Sequence, residues 1–225
     1  MLLFTTVAAA QNTLITYSYE TNFSKEDKEI EYIGEYFKSI ERGAKLINLE
    51  LVFNDSISVF RSLNAMNIAE NEDLEKAKVG CACREENFQY KNHNYKSNSI
   101  SFFPENKYLV KSPIVNEWTL LNESMRINNL LCYKAVRSVD KTLSDGKKTT
   151  VETIAWYCPE LKGGFDPAGF GNLPGVILVL QTGNNIYKAK EIILNSKKTI
   201  EFKRKGIEIS KEEYLQKINT MMLED

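Results

Sequence analysis

Leu173-Pro174-Gly175-Val176-Ile177-Leu178-Val179-Leu180-Gln181-Thr182-Gly183-Asn184-Asn185-Ile186 carries a turn, a strand and the start of a hairpin in one stretch. Pro174 fixes φ near the value that the second position of a type II turn requires, and Gly175 tolerates the positive φ of the third. The run from 176 to 180 is too uniformly apolar for a half-exposed strand, which predicts a central strand buried on both faces. Gly183-Asn184-Asn185 then reverses the chain, and residues 186 to 194 return as its partner.

Working outward, strand-like stretches rich in β-branched and aromatic residues follow one another at 88–95, 99–103, 108–111, 115–121, 130–139 and 149–157. Pro104-Glu105-Asn106 and Ser144-Asp145-Gly146 separate some of them. Nearer the N-terminus, residues 13–20 alternate, and 47–53 and 57–61 flank Asn54-Asp55-Ser56, which is hairpin chemistry. Strands at this spacing, without helices between them, predict a mainly β (α+β) chain: a curved antiparallel sheet forming a barrel or half-barrel. Two helices are expected beside it. From 24 to 45, Ile30, Ile33, Tyr36, Phe37 and Ile40 recur at helical spacing, with Ser24 as N-cap and Gly43 as the stop. At the other end Ser210-Lys211-Glu212-Glu213 is a capping box, followed by the stripe Tyr214, Ile218, Met221 and Met222. The polar stretch from 64 to 78 reads as a loop or a short surface helix.

A length of 225 residues fits one domain, taken as residues 11–225. The 29 basic and 30 acidic residues are interspersed and leave a net charge of -1, which removes the electrostatic footprint of nucleic-acid binding. Residues 1–10 end an apolar run with Ala8-x-Ala10, a pattern suited to signal peptidase, so cleavage is expected before Gln11. No Lys or Arg precedes that run, so either the full signal begins upstream of Met1 or the stretch is not a signal but a buried N-terminal strand. No stretch is long and apolar enough to span a bilayer as a helix. The expectation is a soluble periplasmic or secreted protein.

The most unusual segment lies between 156 and 178, where Trp156-Tyr157-Cys158-Pro159 leads into Gly163-Gly164-Phe165-Asp166-Pro167-Ala168-Gly169-Phe170-Gly171 and then Asn172-Leu173-Pro174-Gly175-Val176-Ile177. The last six residues resemble the namesake motif of the GLPGLI family of exported bacterial proteins. Trp118, Glu123, Arg126-Ile127 and Cys132-x-Lys134-Ala135 resemble that family's Trp…Glu-x-x-Lys-Ile…Cys-x-Lys-Ala segment, and Ala155-Trp156-Tyr157 its Ala-Trp-aromatic. The resemblance is ordered along residues 47 to 195. Asn172 and Asp166 stand where the family has Gly; Asn accepts left-handed backbone angles better than other side chains do. The resemblance implies an envelope protein of a Gram-negative bacterium and attaches no reaction to it.

Nothing in the sequence assembles a catalytic motif. His93, the only histidine, sits in the polar Lys91-Asn92-His93-Asn94 and reads as a solvated strand end. Glu117, Glu123, Glu152, Glu160 and Asp166 form no motif and read as solvated faces and caps. Four cysteines suit an oxidising compartment. Cys81-Ala82-Cys83 puts two sulfurs on one side of an extended chain, which suits a soft metal, although a bridge between these two would be strained. Cys132 and Cys158 flank Asp145-Gly146 almost symmetrically. A three-residue turn leaves them opposite each other, and a strict two-residue turn puts Cys158 on the other face. The expected function is therefore a non-catalytic, cofactor-free binding module. Its candidate surface comprises Trp118, Trp156, Asp166, Phe170, Asn172, Leu173, Pro174 and Gly175, facing an apolar ligand or another envelope protein. The alternative is metal handling or redox chemistry at Cys81 and Cys83.

Overall fold

The computed structural model describes residues 11–63, 71–99, 107–114, 117–142 and 148–224. The expected signal segment, the turns at 104–106 and 144–146, and most of the strand at 99–103 lie outside these residues. The described chain is mainly β, with one twelve-stranded sheet in the order β12-β6-β5-β4-β3-β2-β1-β11-β10-β9-β8-β7. The strands are β1 (Asn12–Thr21), β2 (Asn48–Phe53), β3 (Ile57–Leu63), β4 (Asn87–Tyr90), β5 (His93–Ser99), β6 (Lys107–Pro113), β7 (Thr119–Ile127), β8 (Leu130–Thr142), β9 (Lys148–Cys158), β10 (Val176–Thr182), β11 (Asn185–Ser196) and β12 (Ile207–Ser210). The curved sheet does not close, since β12 and β7 are its two edges. All pairings are antiparallel except β12 beside β6, which makes the sheet mixed.

Strand β1 is the seam. It pairs with β2 on one side and with β11 on the other, joining the N-terminal and C-terminal meanders. As its composition required, β10 lies well inside the sheet, and Val176, Ile177, Leu178 and Leu180 have no exposed surface. Two apolar clusters cover opposite faces. The larger gathers Ile15, Tyr17, Leu49, Leu51, Ala135, Ala155 and Leu180 under two helices and the 161–173 loop. The smaller, Leu14, Val52, Val59, Phe88, Tyr95 and Leu109, lies beneath Ile200 and Phe202 of the segment between β11 and β12.

Several boundaries differ from the sequence reading for local reasons. Residues 24–45 form two helices, α1 (Lys25–Glu29) and α2 (Gly34–Ala44), broken where Tyr32 takes φ 70°. Ser24 caps the first as expected, but Gly43 lies inside the second instead of ending it. There it permits contact with α3 (Glu72–Gly80), because a Cβ would stand 1.9 Å from the Asp73 carbonyl oxygen. The stretch 88–95 is a hairpin and not one strand: Lys91 and Asn92 both have positive φ and turn β4 into β5. Asn128 and Asn129 do the same between β7 and β8. The C-terminal helix α4 (Lys211–Glu224) forms behind the Ser210–Glu213 capping box, and Tyr214 and Ile218 pack on Tyr108, Val110 and Ile209.

Leu173 to Val176 does not form the expected type II turn. The Gly175 N–H donates to the Leu173 carbonyl at 2.8 Å, and the Val176 N–H donates to Leu161 instead of closing the turn. Gly175 has φ 155°, and a Cβ on it would stand 2.1 Å from the Cys158 carbonyl oxygen. Gly is thus required for close approach where β10 meets the end of β9. Gly175→Ala is expected to cost more than about 2 kcal/mol of stability, measured by urea denaturation. A cost within experimental error of zero would show that the two strand ends can move apart freely.

Candidate functional site

The loop from 159 to 175 leaves the end of β9, crosses the larger apolar cluster and re-enters the sheet as β10. Its two sides are laced together. The Asn172 N–H donates to Gly164, Val176 to Leu161 and Ile177 to Phe165, each at 3.0 Å. Leu161, Phe165 and Leu173 point into the core, while Lys162, Gly163, Asn172 and Pro174 are exposed. The result is a plate with a buried underside and a polar, Gly-rich rim.

Asp166 is the pin of this plate. Its side chain is 1% exposed. Oδ1 accepts the Ala168 N–H at 2.5 Å, and Oδ2 accepts the Gly171 N–H at 2.5 Å and Gln89 Nε2 at 2.6 Å. The Asp166 N–H returns a bond to Gln89 Oε1 at 3.3 Å. On β5, Asn94 accepts from Gln89 Nε2 and donates to the Gly169 carbonyl at 2.8 Å. The β4–β5 hairpin therefore holds a loop about eighty residues away through amide chemistry alone. Burial pushes the Asp166 carboxyl pKa above the usual 3.8, against the pull of N–H donors from Phe170, Ala168, Gln89 and Gly171.

The structure unites some of the expected surface residues and separates others. The Trp118 indole N–H donates to the Gly171 carbonyl at 3.0 Å, and its ring lies 6.4 Å from that of Phe170. Both rings are thus engaged in holding the plate. Trp156 has different partners: it faces Lys134 across β8 and β9, with the ammonium 6.0 Å from its ring and Glu123 on the same ammonium at 3.0 Å. Asn172, Leu173, Pro174 and Gly175 do share a surface. They border an open cleft of about 490 Å³ with Pro159 and Lys162. On the other side of Gly163, Gly164 and Asn172, a second cleft of about 410 Å³ is walled by Asp55 and Ser56 of the β2–β3 turn and by Tyr90, Lys91 and Asn92 of the β4–β5 turn. Neither cleft is lined by Trp118, Trp156 or Phe170.

Sequence reasoning missed Gln89 and Asn94. A signal was available in that Gln89 lies between Phe88 and Tyr90, so alternation turns it to the face opposite Phe88. The carboxylates hold separate stations: Glu117 pairs with Arg137 and Glu123 with Lys134, while Glu152 and Glu160 are exposed. His93 Nδ1 lies 2.9 Å from the Lys91 carbonyl oxygen at the start of β5.

The cysteines correct one expectation. Cys81 and Cys83, read as metal candidates and as a strained pair for a bridge, are joined to each other in a disulfide and buried. The bridge follows from the end of α3, where Ala82 at φ 53° folds the chain back and sets the two Cα atoms 5.4 Å apart. All three carbonyls of this segment are held: Cys81 by the Tyr187 hydroxyl, Ala82 by Lys96 Nζ and Cys83 by the Ser62 hydroxyl. Among the described residues, no group of three or more His, Cys, Asp or Glu side chains stands together as a metal-binding set. Cys132 and Cys158, between which the sequence left a disulfide possible, are both buried, and no bond joins them in this structure.

No family model matches the chain, and no curated protein does. A solved structure described as PNGF-II is similar, with a TM-score of 0.56 at 15% identity over 92% of this chain and 33% of that one. This chain therefore spans about a third of that neighbour's length, and at this identity the likeness concerns the fold alone.

The raised pKa of Asp166 has a defined sign. The folded state binds this proton more tightly than the unfolded state, so the contribution is present at low pH and is lost as pH rises from 3.8 through the folded value. Asp166→Asn should remove that part of the pH slope. At acid pH it should also cost roughly 1–3 kcal/mol, because its amide turns N–H donors toward the N–H groups of the loop. Urea denaturation of both proteins across that range checks this, and parallel slopes would contradict it.

Proposed function

We propose that this chain is an exported, non-catalytic binding module related to the GLPGLI proteins, and that the plate at 159–175 receives an exposed segment of another envelope protein. The observation that carries this reading is the pinning of the plate by Asp166 between two open clefts. A loop fixed through a buried carboxylate and distant amides offers a preorganised surface, which lowers the ordering cost of association. The cleft walls favour a protein segment over a small apolar ligand. Lys91, Asn92, Asp55, Ser56 and Asn172 offer polar groups around Ile114 and Phe165, whereas Trp118 and Phe170 are occupied in holding the loop. A mixed, shallow and polar-rimmed surface suits the backbone and side chains of a protein partner better than a greasy molecule.

The test places a photoreactive side chain at Ser56 or Asn92, in the wall of the cleft, and a control at the exposed Lys217 of α4, in cells making the full chain. The expected outcome is a discrete protein adduct from the cleft positions and none from the control. The recovered chain should come from the envelope fraction with Gln11 as its first residue. No adduct, or the same adducts from all three positions, would overturn the binding reading; a cytoplasmic chain that keeps residues 1–10 would overturn export.

A further inference from the structure

Strands β8 and β9 pair in an unbroken antiparallel register from Thr142 opposite Lys148 to Tyr133 opposite Tyr157. One step further along both strands stand Cys132 and Cys158. Directly opposed residues of an antiparallel pair have Cα atoms about 4.5–5.5 Å apart, which lies within the span that a disulfide accepts. Cys158 is among the groups that act on the Cys132 thiol, and neither residue has exposed surface. We propose that Cys132 and Cys158 form a second disulfide, made as the chain folds in an oxidising compartment, that staples β8 to β9 where β9 gives way to the loop.

The step is thiol–disulfide exchange with a small-molecule disulfide such as oxidised glutathione. One cysteine thiolate attacks that disulfide and releases a glutathione thiolate. The second cysteine thiolate then attacks the mixed disulfide and releases the other. Two S–H bonds are lost and one S–S bond is formed, and two electrons and two protons pass to glutathione. Burial, followed by the neighbouring Cys158, pushes the Cys132 thiol up to about 12, so the folded chain holds almost no thiolate there. Exchange therefore belongs to folding, before the strand pair closes over the sulfurs. The bridge is independent of what the clefts bind.

The experiment refolds the full chain from denaturant, once with oxidised and reduced glutathione and once with reductant, then alkylates it and digests it with trypsin without reduction. The linked peptides expected from the oxidised sample are 127–134 joined to 149–162, with a mass lower by two hydrogens than the pair apart. Closing a loop of this length should raise the melting temperature by on the order of 10 °C. The reference is a Cys132→Ala, Cys158→Ala variant that keeps the Cys81–Cys83 bridge. Peptide mapping of the wild type decides the matter even if that variant folds poorly. Cys132 and Cys158 recovered alkylated, capped by glutathione, or linked to Cys81 or Cys83 would overturn the proposal.

Discussion

A carboxylate removed from water, with N–H groups from its own loop and an amide from a distant strand converging on it, is the constraint on which the candidate site depends. Asp166 carries a desolvation penalty that its donors offset. Gln89 is set by the β4 ladder, and Ala168 and Gly171 by the turn that the carboxylate itself organises. Removing one member leaves another unsatisfied in a dry setting, so the group behaves as a unit. The Asp166 side chain itself supplies the fixing, and the plate gains rigidity from it.

That rigidity is transmitted outward. The Trp118 indole closes on the Gly171 carbonyl, and Ile177 and Val176 of β10 donate back to Phe165 and Leu161, so the loop is continuous with the most buried strand of the sheet. Tyr17 of the seam strand adds a hydroxyl bond to the Ile177 carbonyl at 2.7 Å. The cleft of about 410 Å³ is thus bounded by turns of the N-terminal meander on one side and by the plate on the other, whereas the cleft of about 490 Å³ lies within the plate's own residues. Surfaces of this kind change little on binding.

Much of the fold was legible because hydrophobic alternation is a local property. The apolar run of β10, the hairpin at Asn54 and the box at Ser210 each declare themselves within a few residues. Features that depend on backbone sign or on partners far away did not. Lys91-Asn92 turns a hairpin with a lysine in a left-handed conformation, which composition does not advertise, and β12 becomes a strand only because β6 accepts it in parallel. The same division runs through the site. Its loop was visible as a cluster of Gly and Pro, and Asp166 was singled out. Its holders, Gln89 and Asn94, read as ordinary polar residues in a strand until the fold sets them beneath the loop. Likewise the Cys81–Cys83 bridge depends on the left-handed Ala82 at the end of α3, whereas an extended chain would have held the sulfurs further apart.

The most direct measurement is amide hydrogen exchange at Ala168 and Gly171, whose N–H groups point at the Asp166 carboxylate. If the carboxylate pins the plate, both should exchange only through global unfolding, as slowly as the amide of Leu180 in β10. Exchange at the rate of an exposed loop, while Leu180 stays protected, would contradict the account.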